Sequence, residues 1–153
     1  MKAFTVCLFG HRIIHNIIAV EEALDQEVRR LLFEKEYVEF LIGRDGDFDL
    51  LAASVIKRCK QAVCADNSSL VWVLPYATAD LRDNEDAYLK YYDEIEIIEA
   101  GSHYKAAFQK RNRSMVDRSH LVICCIDHRY GGAYRTVHYA QMTGKVIINV
   151  ARA

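Results

Sequence analysis

The sequence predicts an α/β fold of three layers, a mostly parallel sheet of about five to six strands with helices on both faces. Three observations carry this. Short apolar runs alternate along the chain with longer amphipathic stretches of helical period, the pattern of doubly buried strands and crossover helices. Glycine-bearing turns follow several of those runs, where a strand must open into a loop. The 153 residues hold no internal repeat and no linker, so one compact domain spanning 1–153 is expected.

The first run, Ala3 to Phe9, is rich in β-formers and ends at Gly10-His11-Arg12. From about Asn16 to Lys35, Ile17, Val20, Leu24, Val28, Leu31 and Leu32 recur at helical spacing, with Asn16 as the expected N-cap. Tyr37 to Ile42 is the second strand and stops at Gly43. The loop Gly43-Arg44-Asp45-Gly46-Asp47 lets the backbone turn sharply, and a helix starts near Asp47 with Phe48, Leu51, Ala52, Val55, Ile56 and Cys59 inward. Ser69 to Pro75 is the third strand, closed by the only proline. Tyr76 to Tyr92 is charged, tyrosine-rich and without clean period, a loop plus short helix expected to lie over the site. Ile95 to Ile98 is a short fourth strand.

A helix from about His103 to Asp117 places Tyr104, Ala107, Phe108, Met115 and Val116 on one face, with Arg111 in the same phase. A guanidinium on an apolar stripe needs a partner, either a carboxylate or a ligand phosphate. His120 to Ile126 is the fifth strand, Tyr134 to Met142 the last helix, and Lys145 to Val150 the sixth strand.

In such a sheet ligands bind at the carboxyl ends of the strands, near a topological switch point. Gly10-His11-Arg12, Gly43-Arg44-Asp45, Tyr76 and Gly131-Gly132 all follow strands and would gather on one edge. Gly131-Gly132, placed between a strand and a helix, would aim free N–H groups and the positive end of a dipole at one point, which suits a phosphate. Asp47 and Asp49 read equally as first-turn capping acids or as acceptors for ribose hydroxyls.

A net charge of −1 gives no reason to expect nucleic acid, so a small nucleotide-like ligand is the expected partner and any anion site must be local. The five cysteines show no disulfide-like spacing, which points to reduced thiols and a cytoplasmic protein. Cys125 and His128 lie close together, but no further ligands stand at metal-binding spacing. Neither a metal nor a required cofactor is therefore expected. No signal peptide or membrane span is read, and a homo-oligomer is compatible with the chain.

The strand ending in Gly10-His11-Arg12, the run Arg111-Asn112-Arg113-Ser114-Met115 to Asp117, and Gly131-Gly132 before Thr136 together resemble the SLOG superfamily. Among its members the chain is most similar to the YpsA-like bacterial branch, and Gly43 to Asp49 resembles a G-x-x-G-x-x-D loop of that branch. The resemblance implies a Rossmann-like fold that binds nucleotides or their derivatives, with Gly10, His11, Arg12, Gly43, Arg44, Asp45, Asp49, Tyr76, Arg111, Asn112, Gly131, Gly132, Thr136 and Tyr139 as ligand-binding residues. The related LOG phosphoribohydrolases carry R-K-x-x-M and P-G-G-x-G-T-x-x-E. This chain matches them at Arg111, Met115, Gly131, Gly132 and Thr136. It departs at Asn112 for lysine, Tyr130 for proline and Tyr139 for the catalytic glutamate, and its spacing from the Gly pair to Thr136 is one residue longer. The expected function is therefore binding or sensing of a nucleotide-derived ligand. The alternative is LOG-like cleavage of an N-glycosidic bond, with Asp45 or Asp49 as the acid.

Overall fold

The computed structural model describes residues 2–99 and 103–151. Strands β1 (Phe4–Gly10), β2 (Val38–Ile42), β3 (Ser68–Leu74), β4 (Glu94–Ile97), β5 (Leu121–Cys125) and β6 (Val146–Asn149) form one sheet in the order β4-β3-β2-β1-β5-β6. Every pairing is parallel. The reason is the connectivity: a helix-bearing crossover separates each strand from the next, returning the chain to the same edge.

Alternation along the strands sends side chains to two separate cores. Val6, Leu8, Phe40, Ile42, Leu70 and Ile123 pack with helices α1 (Ile17–Glu34) and α2 (Asp47–Ala62) on one face. Cys7, Phe9, Leu41, Val71, Val73, Val122 and Cys124 face the other way. There they meet Met115 and Val116 of α5 (Tyr104–Asp117) and Val137 and Ala140 of α6 (Gly132–Met142). The central strands β1, β3 and β5 are buried almost throughout, which explains their continuous apolar runs.

Three local expectations are corrected. Asn16 does precede α1, but it sits in the left-handed region at φ 57°, and no side-chain bond caps the helix. Its carbonyl instead accepts the Val20 N–H at 3.2 Å. Tyr104 is exposed rather than part of the buried stripe of α5. The segment after β3 forms α3 (Ala79–Asp83), capped by the Thr78 hydroxyl, and α4 (Glu85–Tyr91). No residue of these helices lines the cavity at the strand ends; Tyr88 of α4 and the following Tyr92 instead meet the Trp72 ring at 4.8 Å and 5.3 Å. Trp72 is a large apolar surface near the sheet edge, and the tyrosines cover it.

Candidate functional site

From β1 the chain winds outward through β2, β3 and β4, then crosses back to place β5 on β1's other side. The β1–β5 boundary is thus the switch point, and the register pairs Gly10 with Cys125 so that both strands end level. A crevice opens there because the connections leave in opposite directions. It is a cleft of about 740 Å³, and its walls differ in character.

One wall is built from the ends of β1 and β2 and from α5. A methyl group at Gly10 would lie 2.2 Å from the Phe48 ring carbon, so only glycine lets α2 seat against β1. At Gly46 it would lie 2.5 Å from the Arg12 backbone. At Gly43 it would meet Asp45, Asp49 and Arg111 at 3.0–3.1 Å, which shows how closely these three charged groups converge. Arg111 is only 4% exposed; its Nη2 donates to Asp45 Oδ2 at 2.6 Å and its Nη1 to the Val73 carbonyl at 3.2 Å. Its Nε donates to Asn112 Oδ1 at 3.0 Å. The apolar stripe of α5 therefore carries a charge that is paired inside the protein while still lining the cleft. The Asp45 N–H donates to Asp49 Oδ2 at 3.0 Å. Burial pushes the Asp49 carboxyl up to about 7; the Asp45 charge adds to this, while the Asp45 N–H and the charges of Arg111 and Arg12 oppose it.

The other wall is the β5–α6 connection. Gly131 turns the chain at φ 96°, a conformation that favours glycine, and α6 follows with its first-turn N–H groups lacking intrahelical partners. Exposed Arg12, Lys105 and Arg135 line the same cleft, as do the rings of Tyr104, Phe108 and Tyr130. The helix pair beneath is tied together where Asn112 Nδ2 donates to Thr136 Oγ1 at 2.9 Å, and Thr136 Oγ1 donates to the Gly132 carbonyl at 3.0 Å.

At the seam between the walls, the His11 and His128 rings stack at 3.4 Å with planes 11° apart. His128 Nδ1 lies 2.6 Å from Asp127 Oδ1, and His11 Nε2 lies 3.6 Å from the same oxygen. Burial, reinforced by the neighbouring His128, lowers the His11 pKa and keeps its ring neutral near pH 7. For Asp127, burial opposes ionisation, but the His128 hydrogen bond and the nearby histidine charges prevail and lower its pKa.

Ten of the residues that the sequence points to line the cleft: Gly10, His11, Arg12, Gly43, Asp45, Asp49, Arg111, Asn112, Gly131 and Gly132. Four lie elsewhere. Arg44 turns toward α4, donating to the Tyr92 hydroxyl at 3.0 Å. Tyr76 packs on Tyr104 and Phe108 behind the cleft wall. Thr136 is fully buried between α5 and α6. The Tyr139 hydroxyl donates to Asp117 at 2.5 Å near the far end of α5, a bond that also raises its pKa, and Arg113 covers its ring. Sequence reasoning missed Asp127, Arg135 and the aromatic rim, and it set His128 beside Cys125 rather than beside His11; the signal for Asp127 and Arg135 was a position just after a strand or within the first turn of a helix.

No family model and no curated protein sequence matches the chain. Its fold is similar to DNA processing protein A (DprA) from Streptococcus pneumoniae, at 15% identity and a TM-score of 0.69 over 95% of this chain and 50% of that one. It is likewise similar to DNA processing protein A from Helicobacter pylori, at 14% identity and a TM-score of 0.65 over 95% of this chain and 64% of that one. The chain thus spans less than two thirds of either structure. The structure of the Helicobacter protein addresses its single-stranded DNA binding mode. This overturns the expectation, drawn from net charge, that nucleic acid is not a partner for such a domain. Net charge averages over a whole surface, whereas a single strand is held by a local groove of cations and rings. At these identities the likeness is one of fold alone, a Rossmann-like α/β fold shared with the two DprA structures.

Proposed function

We propose that the cleft binds a nucleotide unit, its phosphate at the N-terminus of α6 and its base or ribose against the aromatic rim. The observation that supports this most is the meeting, in one cavity at the switch point, of the α6 N-terminus, Arg12, Arg135 and the rings of Tyr104, Phe108 and Tyr130. Helix dipole and side-chain cations attract the anion, and the rings offer stacking area. The same reading keeps the chain nearest the YpsA-like branch and in a reducing cytoplasm, where its cysteines stay free.

A second reading, in which the nucleotide unit belongs to single-stranded DNA, is favoured by the fold shared with the Helicobacter protein. Glycosidic hydrolysis is the weaker reading. Such a reaction needs a carboxylate to stabilise positive charge on the sugar, and Tyr139, where LOG enzymes carry glutamate, is a phenol bonded to Asp117 outside the cleft.

The test is native mass spectrometry of the purified chain, followed by thermal-shift titration with nucleoside phosphates, an ADP-ribose-type dinucleotide and a short oligothymidylate. A ligand at 100 times its Kd stabilises the fold by about 2.7 kcal/mol. Stabilisation by mononucleotides supports the first reading. Stabilisation only by oligonucleotides, weakening steeply with salt, supports the second. No shift beyond salt controls with any of them refutes both.

A further inference from the structure

We infer that His11, Asp127 and His128 form a binding site for one divalent transition-metal ion of the zinc type, at the seam of the cleft. The three residues come from adjacent strand ends, held together where the His11 N–H donates to the Cys125 carbonyl at 3.4 Å. Each offers one ligand atom, and these atoms all lie within 4.8 Å of one another. Two imidazoles and a carboxylate are a donor set suited to zinc, copper or nickel rather than to magnesium or calcium. Bonds of about 2.0–2.1 Å put the ligand atoms of a tetrahedral ion roughly 3.4 Å apart, close to the 3.6 Å between His11 Nε2 and Asp127 Oδ1.

What singles out an ion, rather than a simple His–Asp contact, is His11. Its side chain is only 9% exposed. Its Nε2 is buried with no hydrogen-bond partner among the described residues. Buried polar nitrogens are almost always satisfied, and leaving one bare costs about 1–3 kcal/mol. Ring stacking and the His128–Asp127 hydrogen bond account for the other two residues but leave this atom bare. A metal ion in the cleft mouth would give it a partner.

Binding demands one rearrangement. Two nearly parallel rings 3.4 Å apart cannot both point in-plane lone pairs at one ion. His128 must therefore leave the stack. Its side chain is 31% exposed and sits in the loop between β5 and α6, so rotation disturbs no core packing. Three protein ligands leave a fourth position for water or an anion oxygen, and it opens toward the cleft that His11 and His128 line.

The experiment uses the full chain, free of any affinity tag and stripped with chelator. Zn²⁺ is titrated calorimetrically, and Co²⁺ is followed by visible absorption; no nucleotide is needed, so the outcome is independent of the nucleotide reading. We expect one ion per chain and the intense bands of a low-symmetry Co²⁺ site. Asp127→Asn and His128→Ala, both at partly exposed positions, should each weaken Zn²⁺ binding by at least the roughly tenfold to hundredfold that outer-shell partners are worth. His11→Gln should do the same; if it does not fold, the other two variants decide. Zn²⁺ binding that is absent in the intact chain, or unchanged in both Asp127→Asn and His128→Ala, overturns the assignment, the latter outcome placing the ion on other histidines.

Discussion

The two walls of the cleft carry similar chemistry and use it differently. On the β1–β2 side the charged groups are already engaged: Arg111 with the Asp45 carboxylate, and the Asp49 carboxyl with the Asp45 backbone N–H, with glycines at Gly10 and Gly46 locking α2 and Arg12 in place. On the β5–α6 side the N–H groups, Arg135 and Tyr130 face open space, and a methyl at Gly131 would meet none of the described residues within 4 Å. The first wall is a preorganised scaffold in which Arg111, Asp45 and Asp49 have partners before any ligand arrives. The second is where a ligand can gain new bonds. A residue can therefore line a site and still owe its identity to folding.

The sharpest break in this contrast is Arg111→Ala. Removing one partner of a buried ion pair costs about 3–5 kcal/mol, and the 32% exposure of the Asp45 side chain puts this one at the lower end, so the variant should unfold at markedly lower denaturant even without ligand. Unchanged stability combined with lost nucleotide binding would mean that the arginine belongs functionally to the open wall. Next is Gly10→Ala, which drives a methyl into Phe48 and should cost about 3 kcal/mol, the upper end for overpacking. Gly132→Ala is its control: the added carbon would come no nearer than 3.5 Å to the end of the Gln109 side chain, and urea midpoints should stay within error.

A smaller effect comes from Asp49. Its folded pKa is raised to about 7 from an ordinary carboxyl value of 3.8. As pH climbs through 4 the unfolded chain loses this proton while the folded one keeps it, so stability falls between about pH 4 and 7 and then levels. Asp49→Asn should remove that slope and raise stability at pH 7.5 by about 2 kcal/mol, after discounting for part exposure. Parallel wild-type and variant curves across that range would show that the carboxyl is ionised in the folded state. The smallest expected change in stability is for Arg135→Ala, below about 0.5 kcal/mol as for other exposed positions. Yet it should weaken a bound mononucleotide about tenfold, in line with one lost charge-assisted bond. Unaltered affinity would remove Arg135 from the anion site.

Much of the fold was legible because doubly buried strands write themselves as unbroken apolar runs, as in Leu121–Cys125 and Ser68–Leu74. The glycine turns were legible for a related reason, since close backbone approach excludes a side chain. The partner of Arg111 was open between a carboxylate and a phosphate, because helical phase reveals that a charge is inward but not what it meets. Arg44 and Tyr139 were misplaced because one residue of phase at a strand end or in a helix turns a side chain to another face. The His11–Asp127–His128 cluster was not read, since His11 lies far along the chain from Asp127 and His128 and meets them only through the β1–β5 pairing.

That pairing also sets an order of events. β1 finds β2 within the first 42 residues, but its other edge stays bare until β5, beginning at Leu121, has been made and has crossed back over the sheet. The cleft is thus expected to be among the last parts to assemble, after contacts that close shorter loops. Until then the growing chain presents an apolar central strand edge, the kind that chaperones shield and that invites pairing with another copy. Pulse-labelled hydrogen exchange would test this directly: amides shared by β1 and β2 should gain protection before those of β5, and the reverse order would count against it.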